Sequence, residues 1–343
     1  MPPSPDPTAP LRWGILGCAS IADSVIPGIR AVPGCRVEAV ASRDPAKARA
    51  WAAQRDIPRT FGSYAELLGS GEVDVVYNPL PNSLHAEWTV RAIEAGLPVL
   101  CEKPFGRNAA EARAVALVAA RSGVPVAEAF MYRFHPMWDT VLAAIRGGRI
   151  GTPTSVVSRF TFRMDSRTEV AAQADLAGGS LMDVGCYCVN LARRVAGCEP
   201  SRAFAFERRT TVDDTMSGQL EFPNGILAQF ESSIESDERH GAVIAGTDGS
   251  IRIDTPWFPG VDQARFVVHQ GEHEETVTTP GGDGYVLEVQ DFAAAARGRK
   301  APRWGLGDAI ANMAAIDALY ASARTGTAVA VEPANAHRTG SEP

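Results

Sequence analysis

The 343-residue chain has no long apolar segment, few cysteines and no excess of positive charge. No apolar run approaches the roughly 20 residues that cross a bilayer, so no membrane partner is expected. The formal net charge is −7, which argues against nucleic acid as the main partner, because such binding relies on clustered Lys and Arg. The six cysteines are scattered without a paired C-x-x-C, so neither a metal site nor a disulfide framework is predicted. Free thiols in a reducing cytoplasm are expected.

The composition is that of a globular protein, and the length indicates two domains. Residues 1–10 are rich in proline and lack the features of a signal peptide, so they are predicted to be a disordered lead. Residues 11–130 alternate five short apolar segments with helical ones, a pattern typical of a doubly wound parallel sheet. Residues 131–330 contain many strand candidates in succession, which predicts an α+β domain with a large, mainly antiparallel sheet. Residues 331–343 are predicted to be a disordered tail.

A loop of small residues follows the first predicted strand and resembles the dinucleotide fingerprint G-x-G-x-x-G/A, with Gly17, Ala19 and Ala22 at its defining positions. Gly17 permits the tight turn from strand to helix, and a small residue at 19 lets the backbone approach a pyrophosphate. The free amides at the helix start favour that anion. This predicts a Rossmann domain whose loop holds the cofactor through Gly17, Cys18, Ala19, Ser20 and Ile21.

The second predicted strand ends in Ser42 and Arg43, where an NAD-selective site usually carries an acidic residue for the ribose 2′-hydroxyl. A hydroxyl and a guanidinium suit a 2′-phosphate, which accepts bidentate Arg bonds. NADP is therefore favoured over NAD. The neighbouring Asp44 is interpreted as a helix N-cap, because Pro45 follows it at the first helical position.

Further cofactor contacts are predicted after the later strands, because open sheets bind ligands beyond the carboxyl ends of their strands. Asn82 or Ser83 is expected to cap the helix that follows, and His85 is either a polar residue of its first turn or a neighbour of the nicotinamide ribose. The predicted contacts at these strand ends are Asn78, Pro79, Leu80, His85, Glu102 and Lys103.

Three segments resemble the glucose–fructose oxidoreductase/inositol dehydrogenase (GFO/IDH/MocA) family. They are Glu102-Lys103-Pro104, the run 128–136 (EAFMYRFHP) and the glycine-rich run 178–187 (GGSLMDVGCY). The likeness is to branches with tyrosine at the acid position: dimeric dihydrodiol dehydrogenases, NADP-linked D-xylose dehydrogenases and nucleotide-sugar ketoreductases. The resemblance implies that Lys103, Asp183 and Tyr187 form the catalytic centre.

The chemistry of these three residues is consistent with that implication. Moving a hydride to a carbonyl leaves an alkoxide, which needs a nearby proton donor. The Tyr187 hydroxyl serves if an adjacent cation such as Lys103 lowers its pKa, and Asp183 shares a helix face with it at a spacing of four. Simpler interpretations also exist: Ser180 and Asp183 have the spacing of a capping box, Tyr187 is a core residue, and Lys103 is a solvated strand end.

Arg133, His135 and Arg163 are weaker candidates for substrate contact. Trp257 and Phe258 are interpreted either as a wall for sugar stacking or as a hydrophobic turn.

The sequence thus predicts an NADP-dependent oxidoreductase acting on a CH–OH or C=O carbon of a sugar-like small molecule. A non-catalytic, NADP-sensing regulator is the alternative, although it would be expected to lose the lysine or the acid. A methyltransferase is disfavoured by Ser42 and Arg43. The family resemblance further implies a homodimer or homotetramer that pairs through an open sheet face.

Overall fold

The structure is a computed structural model that describes residues 9–334. The predicted lead and tail lie mostly outside this range. Among the described residues, no helix combines the length and the apolar character that a membrane span requires.

The first sheet has six parallel strands in the order β3-β2-β1-β4-β5-β6. This is the order of a doubly wound nucleotide-binding fold, so the predicted fold class is confirmed. One strand, β3, was not among the five expected, because it has three residues, two of them exposed, and therefore no apolar pattern. The strands are β1 (Leu11–Leu16), β2 (Cys35–Ala41), β3 (Arg59–Phe61), β4 (Val75–Asn78), β5 (Val99–Glu102) and β6 (Val126–Ala129).

Five helices connect these strands, and their starts follow from local hydrogen bonding. They are α1 (Ala22–Ala31), α2 (Pro45–Ala53), α3 (Tyr64–Gly69), α4 (Asn82–Glu94) and α5 (Ala109–Ser122). Asp44 caps α2 as predicted, because its carboxylate accepts from the amides of Ala46 and Lys47. The expected cap of α4 is wrong: Pro81 occupies that position, and the Asn82 side chain donates to the carbonyl of Ala177 at 2.8 Å.

The second sheet has nine strands in the order β14-β13-β12-β11-β7-β10-β9-β8-β15, and β7 and β10 are its one parallel neighbouring pair in the described range. This confirms the predicted, mainly antiparallel sheet. The strands are β7 (Pro153–Arg163), β8 (Arg202–Arg209), β9 (Asp213–Glu221), β10 (Leu227–Ser233), β11 (Glu235–Gly246), β12 (Ser250–Ile253), β13 (Gln263–Gln270), β14 (His273–Pro280) and β15 (Val329–Ala330).

Helices α6 (Pro136–Arg146), α7 (Cys186–Ala196), α8 (Gly284–Ala296) and α9 (Leu306–Thr325) complete the fold. α7 packs on β7 and β10, and α9 packs on β8. α8 instead packs on α1 of the first sheet so closely that a Cβ at Gly28 would lie 3.2 Å from the main chain of Tyr285. The two sheets are therefore joined by direct helix packing as well as by the chain itself.

A buried ionic cluster lies where these parts meet. Arg133 forms ion pairs with Asp308, which also pairs with Arg193 at 3.0 Å. Glu128 is buried beside this cluster, and burial raises the pKa of its carboxyl from 4.5 to about 7, although Arg133 opposes the shift. The unfolded chain therefore releases this proton at a lower pH than the folded protein does.

We predict that Glu128→Gln removes a pH-dependent loss of stability. As pH rises from about 4.5 to 7, ionisation of the unfolded state favours unfolding, so the free energy of unfolding falls by up to about 3 kcal/mol through this group. The variant should match the wild type near pH 4, below the pKa of the unfolded state, and exceed it at pH 8 in urea denaturation. The exposed Glu94→Gln is the control, and a difference from wild type that is equal at both pH values would contradict the assignment.

Candidate functional site

The glycine loop joins β1 to α1 in a conformation that requires its small residues. Gly17 has φ +86°, and a Cβ there would approach Leu80 to 3.0 Å. Its amide donates to the carbonyl of Ala41 at 2.8 Å, which fixes the loop on β2. The amides of Ala22 and Asp23 bond back to Ala19 and Ser20, so the loop turns directly into the helix. The result is an uncrowded backbone at a helix start, which is the arrangement that accepts a pyrophosphate.

The carboxyl end of β2 presents cationic groups beside this loop. Ser42 is buried and its hydroxyl accepts from the amide of Asp44, whereas Arg43 is exposed with its guanidinium beside the hydroxyl of Tyr64. Burial raises the pKa of the Cys18 thiol, and the nearby ammonium of Lys47 opposes that shift. Lys47 is therefore close to the glycine loop, and it was not among the predicted contacts. It lies in the first turn of α2, four residues after Arg43 in the sequence.

The turn after β4 is held by two buried side chains. Asn78 donates to the carbonyl of His85 at 3.2 Å and to the hydroxyl of Thr89 at 3.1 Å. The ring nitrogens of His85 lie 2.6 Å from the carbonyl oxygen of Leu80 and 2.8 Å from that of Pro104. Burial lowers the pKa of His85 to about 4, so the ring is neutral at pH 7. A neutral ring has one N–H, so His85 donates to one of these two carbonyls and packs between the turns that follow β4 and β5.

Lys103, directly after β5, contacts the second sheet's half of the molecule. Its ammonium donates to the main-chain carbonyl of Asp183 at 2.7 Å and to the carboxylate of the same residue at 3.2 Å. Burial is the largest single effect and disfavours the charge, but the carboxylate of Asp183 together with smaller contributions from Cys186 and Glu102 outweighs it, so the pKa of Lys103 is raised. Two of the three ammonium hydrogens are engaged, so one remains for another oxygen.

Asp183 does not lie on a regular α-helix as the spacing suggested. It lies in a π turn (Leu181–Gly185) that runs directly into α7, and such turns often occur at functional sites. The capping-box interpretation is wrong, because Ser180 has helical dihedral angles and its hydroxyl donates to Asp213. A Cβ at Gly185 would lie 2.8 Å from the Ser232 hydroxyl on β10, so the turn packs against that strand.

Tyr187 lies in the first turn of α7, with the ammonium of Lys103 5.3 Å from its ring centroid. Aromatic rings surround it: the centroids of Phe130, Phe160 and Trp257 are 5.0, 5.3 and 5.6 Å away. Burial raises the pKa of Tyr187 well above its usual value, and the neighbouring Tyr285 adds to this. The expectation that this pKa is lowered is therefore wrong, because burial of the ring is the largest effect and raises it.

Tyr285, in the first turn of α8, is a neighbour that the sequence analysis did not identify. Burial and, to a smaller extent, Glu102 raise the pKa of its hydroxyl to about 12, although Ser24 and Lys103 oppose the shift. The Glu102 carboxylate in turn accepts from the hydroxyl of Tyr77 at 2.7 Å. Nothing in the sequence around Tyr285 distinguishes it, since only the packing of α8 on α1 brings it here.

The three weaker candidates have different surroundings. Arg133 is buried, and besides its pairing with Asp308 it donates to the carbonyl of Glu128 at 3.1 Å. His135 caps α6: one ring nitrogen accepts from the amide of Met137 and the other donates to the carbonyl of Gly260 at 2.9 Å. These bonds give both side chains structural functions. Arg163 is exposed at the end of β7.

Trp257 and Phe258 behave differently from each other. The Trp257 ring is fully buried, stacks on Phe160 and donates to the carbonyl of Arg159 at 3.1 Å. Phe258 remains exposed and meets Phe160 edge to face. Trp257 therefore belongs to the packing around Tyr187, while Phe258 presents an aromatic surface to solvent.

A dinucleotide loop and a lysine–aspartate–tyrosine cluster together define a nucleotide-dependent oxidoreductase. Comparison with family models agrees: residues 11–130 match the oxidoreductase family with the NAD-binding Rossmann fold, and residues 138–252 match the GFO/IDH/MocA C-terminal domain. The chain belongs to the GFO/IDH/MocA family of oxidoreductases, and the resemblance stated from its motifs is confirmed.

Individual relatives cover most of the chain. It is 40% identical over 328 residues to an NADP-dependent D-xylose 1-dehydrogenase of Haloferax volcanii, covering 94% of this chain and 100% of that protein. It is 35% identical to a trans-1,2-dihydrobenzene-1,2-diol dehydrogenase of Mus musculus, covering 73% of this chain and 76% of that one. Among solved structures, a 3-ketoreductase from Actinomadura kijaniata in complex with NADP and TDP-benzene superposes with a TM-score of 0.87 at 29% identity, covering 91% and 98% of the two chains.

Proposed function

We propose that this oxidoreductase uses NADP and acts on a CH–OH or C=O carbon of a sugar or sugar-like cyclic substrate. The observation that carries the proposal is the Lys103–Asp183 contact beside the Tyr187 ring, at the same carboxyl edge of the parallel sheet as the dinucleotide loop. The relatives support the same class, since their names include a xylose dehydrogenase and a dihydrodiol dehydrogenase.

The residues present fit the cofactor. A side chain at Gly17 would fill the cradle of the loop, and Ser42, Arg43 and Lys47 supply a hydroxyl and two cations for a 2′-phosphate. When bound, the nicotinamide supplies or accepts the hydride. The remaining predicted contacts of the cofactor are the loop residues 18–21, the turn residues 78–80, His85 and Glu102.

Lys103 and Tyr187 have different functions at the substrate oxygen. Lys103 remains cationic, and its one free hydrogen is available to an oxygen that gains negative charge. Tyr187 remains protonated at neutral pH because its pKa is raised, so it serves as the proton donor in the reducing direction. Asp183 holds the ammonium in place, and its partly exposed carboxylate is also able to accept from a substrate hydroxyl.

The second sheet supports an oligomer. One face carries large exposed apolar side chains on β11, β7 and β10, which are neighbours, and on β8 beyond β9, and exposed apolar surface of this kind marks interaction sites. They are Val157, Phe206, Leu227 and Val243. We propose an isologous dimer, or a dimer of dimers, that pairs through this face. All six cysteines are free thiols, which supports a reducing compartment such as the cytoplasm.

The central prediction concerns Tyr187→Phe, which keeps the ring and removes the hydroxyl. Turnover should fall by about 10²–10⁴-fold, the usual contribution of a positioned acid. NADP affinity should barely change, because the cofactor contacts lie mainly in the first sheet's half. Steady-state kinetics on a panel of aldoses, polyols and keto sugars, with a melting curve, make the test. Near-normal turnover with a lowered melting temperature would instead identify a core tyrosine.

Lys103→Ala should also strongly reduce turnover. The double variant with Tyr187→Phe should be little worse than either single one, because residues acting as a unit are not additive. If the fold-reductions in turnover of the two single variants multiply in the double variant, the two residues act independently, and this would contradict the shared mechanism.

The cofactor assignment predicts selective effects at two positions. Arg43→Ala should weaken NADP binding by about 2 kcal/mol and leave NAD binding nearly unchanged, because only NADP has the 2′-phosphate. Lys47→Ala should weaken NADP in the same direction. Arg49→Ala, an exposed arginine of the same helix, is the matched control. Fluorescence titrations with NADPH and NADH measure the affinities of the wild type and the three variants, and equal losses for both cofactors would refute the assignment.

The assembly proposal predicts that charge on the open face separates the subunits. Val157 and Val243 face each other across β7 and β11, so Val157→Glu with Val243→Glu places two carboxylates in the patch. Light scattering should show a dimer or tetramer for the wild type and a monomer for the double variant. Val261→Glu, at an exposed valine outside the sheet, should keep the wild-type mass. A wild-type monomer at every concentration would remove the idea.

A further inference from the structure

Asp213, the first residue of β9, is a buried carboxylate outside the set of residues that touch the site. Its exposed fraction is 1%. One oxygen accepts from the amide of Leu181 at 2.7 Å and from the hydroxyl of Ser180 at 3.0 Å, and the other accepts from the hydroxyl of Tyr320 at 2.7 Å. A buried carboxylate with three donors is a fixed anchor, because losing it leaves those donors unsatisfied.

The anchored atoms belong to the start of the π turn. The Leu181 amide is the first of that turn, and an anion at this end complements the free amides there. The Ser180 hydroxyl also lies 3.0 Å from the Ser232 hydroxyl on β10, so two strands hold the same point. The turn thus starts from a position set by β9 and β10.

The chain before the turn has no room to adjust. Gly179 has φ +125°, and a Cβ there would lie 2.0 Å from the Asp213 carboxylate. A Cβ at Gly178 would lie 2.4 Å from the carbonyl oxygen of Ala171. The path of the backbone into the turn is therefore defined by close contact with Asp213 itself.

The position of this backbone matters to the site because Lys103 binds the main chain. Its shortest contact, 2.7 Å, is to the carbonyl oxygen of Asp183, two residues after the anchored amide. A shift of the turn would move this oxygen, the Asp183 carboxylate and the start of α7 together. A displacement of about 1 Å is enough to cost on the order of 100-fold in rate at a preorganised site.

We propose that Asp213 is a positioning residue for the reaction, acting through the π turn on Asp183 and thereby on Lys103. This inference rests on the proposed function, because it needs Lys103 and Tyr187 to be the reacting groups. We expect Asp213 to affect the rate of the chemical step and the orientation of the substrate. It should not affect cofactor binding, because the cofactor contacts lie in the half of the molecule that contains the first sheet.

The test compares two substitutions of Asp213 with one control variant. Asp213→Ala removes the anchor and should lower kcat by roughly 10- to 100-fold while NADP affinity stays within about twofold. Asp213→Asn keeps the shape and an acceptor for Leu181, so kcat should recover to within roughly threefold of wild type. Glu221→Gln, at an exposed carboxylate of the same strand, is the control that should leave kcat nearly unchanged.

Coupling to Lys103 distinguishes positioning from stability alone. Asp213→Ala combined with Lys103→Ala should be little slower than Lys103→Ala, because the anchor acts through that ammonium. The kcat of each variant is expressed per folded protein, and melting curves measure the folded fraction. A wild-type kcat in folded Asp213→Ala, or multiplying effects in the double variant, overturns the proposal.

Two further outcomes are decisive. If Asp213→Ala does not fold, Ser180→Ala carries the test, since it removes one donor from the same oxygen; a lowered kcat supports the proposal and a wild-type kcat overturns it. If Lys103→Ala is fully active, the proposed function itself is wrong. If Lys103→Ala is inactive but Asp213→Ala is fully active, only the positioning function of Asp213 is rejected.

Discussion

The contact between Lys103 and Asp183 is the interaction on which the site depends. The two residues are 80 positions apart, one at the end of β5 and the other in the π turn over the second sheet. A buried ammonium is costly unless it is paired, so separating the two halves would leave an uncompensated charge. The same pairing that stabilises the docked arrangement therefore also places the cation beside Tyr187. The site therefore requires the two halves to be docked against each other.

Burial has opposite consequences for the two groups that meet there. Lys103 keeps its charge because a carboxylate and a carbonyl compensate for lost water, whereas Tyr187 lies among Phe130, Phe160 and Trp257 and keeps its proton. A cation and a neutral acid at one oxygen are what a developing alkoxide requires. The two groups differ in charge because their neighbours differ: Lys103 has a carboxylate and a carbonyl beside it, whereas Tyr187 has mainly aromatic rings.

The sequence predicted what short-range chemistry determines. The strand-to-helix turn at Gly17, the cap at Asp44 and the two kinds of sheet follow from residue types and periodicity, and the structure agrees. It did not predict β3, the π turn or the proximity of Tyr285, because these depend on which surfaces meet across the fold. The wrong direction for the pKa of Tyr187 has the same origin, because the burial that raises this pKa comes from the packing of Phe130, Phe160 and Trp257 around the ring.

Several polar residues near the motifs bind main-chain carbonyls of the fold. The ring of His85 lies between the carbonyls of Leu80 and Pro104, that of His135 donates to Gly260, and Arg133 donates to Glu128. Turns beyond strand ends have no sheet ladder to satisfy such carbonyls, so side chains must do so. Residues at motif positions therefore divide into two groups. The two histidines and Arg133 hold the main chain in place, whereas the exposed Arg43 is available to a bound ligand.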